Sequence, residues 1–378
     1  MENPRPHEPA FTRSAREVAQ GRGAETESNP NLEELRMTDR PDEHVDVFAG
    51  LDVSARAISV ARLRSKDGTL TVASFANNAS GHKALLAYLL QGTEQVRVCL
   101  EASGNYSLDL ALALHAHRHV EVSLVNPRRA RRFAESLGER SKTDPVDARV
   151  LCEYAARMPW VVWRPPSTRG LRLRAITRAI ESLGVMHTQE KNREHALQAS
   201  QALPSLVIRE MRHHQRYLEN RMEQLRREAR RLIAKDPELD RRFRLMVTVP
   251  GVAETSALQI LGELVGLPDS LDARQWVAFS GLDPSQFTSG TSVERRPRIS
   301  RGGSRHLRRA LYMPALVALR HEPHLRTFYR RLVDRGKARL QAVVAVMRKL
   351  LHALFAMFRS NQTYDGAKLC SAELVSCV

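Results

Sequence analysis

The sequence is poor in cysteine: four in 378 residues, Cys99, Cys152, Cys370 and Cys377, with no CxxC pair and no Cys/His grouping at zinc spacing. That argues against a disulfide-stapled fold and against structural zinc, and makes a reducing cytosol the expected compartment. Aromatic residues make up only 5%, too few for the interleaved platforms that stack unpaired bases. No apolar run looks long enough to span a bilayer, and the N-terminus lacks the hydrophobic core of a secretory signal. A Walker phosphate loop is also missing. Acidic residues are the minority charge, 42 Asp and Glu against 59 Lys and Arg, giving a formal net charge of +17 and a pI of about 10.4. Such an excess favours a polyanionic partner, nucleic acid ahead of an anionic membrane.

The length leaves room for two or three domains. Residues 1–44 are polar and aperiodic and read as a disordered leader, with Met37 just ahead of the first strand-like run. From Val45 to about Pro165 the pattern is α/β. Strand 47–53, the run 57–63 and a strand from Thr69 to Phe75 form an antiparallel meander around the turn Ser65-Lys66-Asp67-Gly68. A helix at 80–90, strand 95–100, helix 107–117, strand 120–125 and helix 127–137 follow. Three antiparallel strands and then strand–helix units is the order of a ribonuclease-H-like fold, in which the first and fourth strands are neighbours.

That neighbourhood matters because acidic residues end both strands. Asp52 closes Val47-Phe48-Ala49-Gly50-Leu51-Asp52, and Glu101 closes Val96-Arg97-Val98-Cys99-Leu100-Glu101. Asp144 and Asp147 lie three apart at a helix start and share a face. Carboxylates at the ends of buried strands are costly unless something positive binds them. With so basic a chain, Mg²⁺ facing a phosphodiester accounts for all four. Taken alone, Asp-x-x-Asp is also ordinary dipole compensation, and Asp144 could be an N-cap before Pro145. Basic residues flank the set: Arg128, Arg129, Arg131 and Arg132 after Asn126-Pro127, then Arg140 and Lys142 before Asp144. They are expected to contact the backbone phosphates, although basic runs are commonly just solvated faces.

Residues 168–235 carry few turn signals besides Pro204. Met211, Leu218, Leu225 and Leu232 recur every seven residues, a heptad seam interrupted by Gln215. With the helix before Pro204 this predicts an antiparallel hairpin or an intermolecular coiled coil; one more amphipathic helix on a globular core satisfies it equally. A second, mainly helical domain runs from Phe243 to about Arg359, and residues 361–378 read as a flexible tail. The opening of that domain, Val249-Pro250-Gly251-Val252 before a helix at 254–265, is like half of a helix-hairpin-helix, whose turn aims N–H groups at phosphate. Further on, seven arginines fall between 295 and 309, among them Arg295, Arg296, Arg298, Arg301, Arg305, Arg308 and Arg309. Guanidinium forks suit phosphate, which makes this the strongest nucleic-acid signal in the chain. The neighbouring Ser289, Ser292 and Ser300 are indistinguishable as nucleophiles on chemistry alone.

Taken together these motifs resemble a known family. Gly50-Leu51-Asp52, Leu100-Glu101-Ala102-Ser103-Gly104-Asn105-Tyr106, Lys142-Thr143-Asp144-Pro145-Val146-Asp147-Ala148-Arg149, Phe279-Ser280-Gly281-Leu282-Asp283-Pro284, Thr288-Ser289-Gly290 and Leu307-Arg308-Arg309-Ala310-Leu311-Tyr312-Met313 are similar to motifs of the DEDD transposases of bacterial insertion sequences (family one-ten). The likeness spans about residues 46–359; the leader before Val45 departs from it. It implies a RuvC-like (ribonuclease-H-like) DEDD domain over 45–165, a coiled-coil helical region over 166–240 and a C-terminal transposase domain over 241–360. It implies Mg²⁺ on Asp52, Glu101, Asp144 and Asp147, and Ser289 as the nucleophile that forms a phosphoserine link to DNA. The implied partners are target and donor DNA, a structured bridge RNA contacted by the basic helices, and further copies of the chain in a dimer or tetramer. The implied location is the bacterial cytoplasm, at the nucleoid. A junction resolvase using metal-activated water, and a catalytically silent nucleic-acid-binding protein, are the rival expectations.

Overall fold

The computed structural model describes residues 45–370 apart from Ser103, Asn105, Arg140, Lys142 and residues 200–204 and 290–292; the side chains of 287–289, 293–297 and 369–370 are also outside it. Residues 1–44, expected as a leader, and 371–378 lie outside the described residues.

The chain is mostly helical, with one mixed five-stranded sheet near its N-terminus. Strands β1 (Val47–Val53), β2 (Ala57–Arg64) and β3 (Leu70–Ala76) form the antiparallel meander; β4 (Val96–Glu101) and β5 (Val120–Val125) join parallel to β1, in the order β3-β2-β1-β4-β5. This arrangement is compatible with a ribonuclease-H-like domain. Apolar residues line both faces of the central strands, as strands covered on both sides require. On one face Leu51, Ile58 and Leu100 pack with Leu85 and Leu89 of α1 (Ala79–Leu89) and Leu110 and Leu114 of α2 (Leu108–His115). On the other, Cys99 and Val125 meet Ala130 of α3 (Pro127–Ser136) and Leu151, Tyr154 and Ala155 of α4 (Asp144–Arg157). Burial pushes the Cys99 and Cys152 thiols up to about 12, so both stay protonated and inert.

Helices α5 (Thr168–Gln198) and α6 (Ser205–Ala234) run antiparallel. Glu194 near the end of α5 accepts from Arg212 and Gln215 near the start of α6, while Arg169 reaches back to the Lys235 carbonyl. The heptad residues Met211 and Leu218 are buried along this contact, with Met222, Ala229 and Ile233. Leu173, Ala229 and Ile233 root the pair in the core of the C-terminal domain.

That core is built by α7 (Pro237–Met246), α8 (Glu254–Leu264), α9 (Ala273–Ser280), α10 (Arg305–His321), α11 (Pro323–Asp334) and α12 (Arg339–Ser360). Contrary to the expectation that no stretch could span a bilayer, α12 is long and apolar enough by length and composition, with a mean hydropathy of 1.5. Val346, Leu350, Leu351 and Leu354 of α12 are instead fully buried in the domain core, which explains its composition. Between α9 and α10 lies a two-stranded ribbon, β6 (Pro284–Ser289) and β7 (Val293–Ile299), where the sequence had shown only an arginine-rich loop. Beyond α12, residues 361–370 fold back on the domain, the Tyr364 amide donating to the Thr248 hydroxyl.

Candidate nucleic-acid-processing site

Residues Leu51 and Leu100 are paired across β1 and β4, so Asp52 and Glu101 follow side by side at the C-terminal edge of two parallel strands. Both are half-buried. Helix α4 brings the other two carboxylates. Thr143, not Asp144, caps it, which puts Asp144 and Asp147 both in its first turn. Asp144 is exposed and Asp147 half-buried. What sets the position of α4 is Gly50: a Cβ there would overlap the backbone of Ala148, Leu151 and Cys152. The helix therefore crosses β1 at backbone contact, one residue beyond Asp147 and two before Asp52. The glycine of Gly50-Leu51-Asp52 serves the approach of the acids rather than a turn.

Four hard oxygen donors from three elements at one sheet edge are the chemistry that Mg²⁺ takes. Among the described residues, however, no three His, Cys, Asp or Glu side chains stand close enough together to ligate one ion. The donor types suit a divalent cation, but their placement does not form a cation site among the described residues.

The same edge carries a basic helix. Asn126 follows β5, accepts from the Arg128 amide and so caps α3; Ala130 turns inward while Arg128, Arg129, Arg131 and Arg132 are exposed. Here the two domains meet. The Asn126 side-chain amide donates to the Gly302 carbonyl at 3.0 Å, and the Arg128 guanidinium to the Ser300 carbonyl at 3.0 Å. The C-terminal domain thus docks the base of its ribbon against the edge where the carboxylates lie.

The docked loop is braced from within its own domain. Ser304 caps α10, and its hydroxyl donates to Glu263 at 2.8 Å. Glu263, only 3% exposed, also takes both prongs of the Arg178 guanidinium at 2.7 and 3.0 Å. Burial works to raise the Glu263 carboxyl, but the hydrogen bonds and charge of Arg178, with Ser304 and Arg174, outweigh it and hold the group below its usual range. A lowered folded pKa contributes stability that is present above the ordinary carboxylate range and lost as pH falls through the folded value. Glu263→Gln is therefore expected to cost on the order of 3 kcal/mol at pH 7, the lower end for a broken buried pair because Arg178 is partly exposed. It should also flatten the acid limb of stability. Urea unfolding at pH 7 and pH 4 checks both; an equally steep acid limb in the variant would move that pH dependence elsewhere.

The remaining expected site residues are spread out. Ser289 ends β6 opposite Val293, next to the ribbon's tip, and its side chain lies outside the described residues. So do Arg140, Lys142, Ser292 and the side chains of Arg295 and Arg296. Ser300 sits at the ribbon's base, its hydroxyl donating to Asp283 at 2.5 Å. Arg298, Arg301, Arg305 and Arg309 are exposed, Arg309 being paired with Glu181 at 3.4 Å. Arg308 is half-buried and donates to the Ser280 and Gly303 carbonyls. Sequence reasoning missed Asn126 as an interdomain donor, and Glu263. A single carboxylate inside the apolar run of α8 was the available sign of the latter.

Comparison with known sequences now gives the class. A transposase family profile of the DEDD type matches residues 49–201, and the profile described as "Transposase IS116/IS110/IS902 family" matches residues 244–330. The chain is 30% identical over 322 residues to the pilin gene-inverting proteins of Moraxella bovis and Moraxella lacunata, covering 84% of this chain and 97% of each relative. It is 32% identical over 137 residues, 35% of this chain and 32% of the relative, to an insertion element IS110 protein of Streptomyces coelicolor. With a carboxylate-edged sheet in one domain and a basic ribbon in the other, the molecule is a DNA transposase or recombinase. It belongs to the IS110 family of insertion-sequence transposases, and DNA is its partner.

Proposed function

We propose that this recombinase cuts and rejoins DNA through a phosphoserine intermediate on Ser289, with Mg²⁺ held by Asp52, Glu101, Asp144 and Asp147, and that a bridge RNA selects the target and donor DNA. The observation that carries the reading is the sheet edge, with Asp52 and Glu101 side by side and α4 crossing at Gly50; Ser289 lies toward the tip of the ribbon whose base docks on α3. Ligands of open parallel sheets gather at such carboxyl ends.

A serine hydroxyl is a poor nucleophile at neutral pH. Bound Mg²⁺ would lower its pKa and offset charge on the phosphorane-like transition state. The Ser289 Oγ forms a bond to phosphorus as a bridging P–O bond of the strand breaks, and the released strand oxygen takes up a proton. Attack by the hydroxyl of a second strand reverses these events and restores the serine. One phosphodiester is exchanged for another, so no ATP is consumed. Exposed Arg128, Arg129, Arg131 and Arg132 hold the backbone beside the acids. Sequence choice falls to RNA–DNA pairing, the protein contacting shape and backbone. Partner subunits would complete the site by bringing the serine of one copy to the carboxylates of another, with the α5–α6 pair as the assembly element.

The test is to mix full-length protein, Mg²⁺, element-end DNA and the flanking-encoded RNA and to look for a denaturation-resistant protein–DNA adduct. Wild type should give one and Ser289→Ala none, with DNA binding kept. An adduct that survives Ser289→Ala refutes the nucleophile. Cut ends without an adduct would favour water-based resolution, and no product of any kind a binding protein.

A further inference from the structure

The seam between the two domains gathers positive charge. From α3 the Arg128 guanidinium reaches the Ser300 carbonyl, Arg301 follows next in the docked loop, and from α10 the Arg308 guanidinium reaches back to the Gly303 carbonyl, beside the Arg301 backbone. Desolvation, with the charges of Arg301 and Arg128, pulls the Arg308 guanidinium below its usual value. Other arginines nearby have carboxylates: Arg178 has Glu263, and Arg309 has Glu181. Among the described residues none of the three seam arginines is ion-paired with Asp or Glu. Three like charges drawn together lose free energy unless an anion joins them.

The loop that presents Arg301 is held at several points. Arg301 holds a left-handed φ of 52°, rare for a residue with a side chain, and its amide donates to the Gly281 carbonyl. Gly302 donates to the Ser300 hydroxyl, and a Cβ on Gly303 would overlap the Phe279 carbonyl. Backbone strain of this kind persists where the surroundings impose it, and it concentrates at sites that hold ligands. The loop meets α3 just past β5, whose last residue Val125 is paired with Glu101, so the seam lies at the carboxylate edge of the sheet.

We propose that Arg128, Arg301 and Arg308 form a single seat for one DNA backbone phosphate, shared between the domains. Guanidinium forks match a phosphodiester's two free oxygens, and a monoanion in the seat relieves the repulsion among all three. Binding of that phosphate ties the C-terminal domain more tightly to the sheet edge. This rests on the protein's acting on DNA and not on Ser289 or Mg²⁺, so it survives if either of those assignments fails.

The seat is tested with full-length Arg128→Gln, Arg301→Gly and their double variant. The probes are a labelled DNA duplex and an RNA duplex of the same length, titrated across a salt series without Mg²⁺. Each single change should lower the log–log salt slope on DNA by about one unit, and the double by about one rather than two, because one phosphate is lost in each case. Arg301→Gly also removes the left-handed strain, so its unfolding midpoint should not fall. Unchanged DNA slopes would overturn the seat, as would slope losses that add, or a loss confined to RNA. A fall in DNA affinity matched by a lower unfolding midpoint in Arg301→Gly would make that residue merely structural.

Discussion

Gly50→Ala should destabilise the N-terminal domain by about 3 kcal/mol, and Gly50→Val should prevent it from folding. The methyl group would overlap main-chain atoms of Ala148, Leu151 and Cys152, none of which is the far end of a flexible side chain. Relief would require α4 to lift from β1. That would open the packing of Leu151, Tyr154 and Ala155 and move Asp144 and Asp147 away from the edge that holds Asp52 and Glu101. Activity should therefore fall at temperatures where the folded fraction is still high. Gly68→Ala supplies the comparison: its φ of +69° is unfavourable for a side chain, a strain Gly50 does not carry, but nothing lies within 4 Å of the added methyl group. It should cost about 1 kcal/mol or less and leave activity unaltered. Urea unfolding of the two variants separates crowding from backbone strain. Equal costs would mean that the α4 crossing can yield.

Much of the first domain was legible because its strands announce themselves. Val47–Val53 and Val96–Glu101 are short, largely apolar runs with an acid at or next to the end, and the meander before β4 leaves β1 free to pair with it. Other features depend on contacts far apart in sequence. The spacing of Met211 and Leu218 is the same whether the partner helix belongs to this chain or another; Glu194 with Arg212 and Gln215 shows an internal partner. The β6–β7 ribbon was hidden because its strands, Pro-Ser-Gln-Phe-Thr-Ser and Val-Glu-Arg-Arg-Pro-Arg-Ile, are mostly polar and each contains a proline, so no apolar alternation marks them. Asn126 and Glu263 were overlooked because their partners, Gly302 and Arg178, are 176 and 85 residues away. The choice of Ser289 over Ser292 and Ser300 came from family likeness, and local chemistry still does not make it. The Ser300 hydroxyl is bonded to a carboxylate, Asp283, while the side chains of Ser289 and Ser292 lie outside the described residues.

Asp144→Ala is expected to reduce DNA strand cutting by at least about a hundredfold while leaving DNA and RNA affinity close to wild type. The side chain is exposed and sits in the first turn of α4, so its loss should cost the helix only a few tenths of a kcal/mol in dipole compensation. Asp147→Ala should impair cutting as strongly, with a larger cost in stability, since Asp147 is half-buried. A metal readout independent of activity separates ligand from scaffold. A cation that binds only the folded form raises the unfolding midpoint with its concentration. Mg²⁺ should therefore stabilise wild-type protein, and Asp144→Ala and Asp52→Asn should each abolish that dependence. If instead Mg²⁺ raised all midpoints equally, it would be acting elsewhere on the molecule, and the four carboxylates would be left as strand-end and helix-start residues. Stabilisation of wild type alone would mean that the acids close around the ion when it arrives, in keeping with donors that share an edge without yet forming a cage.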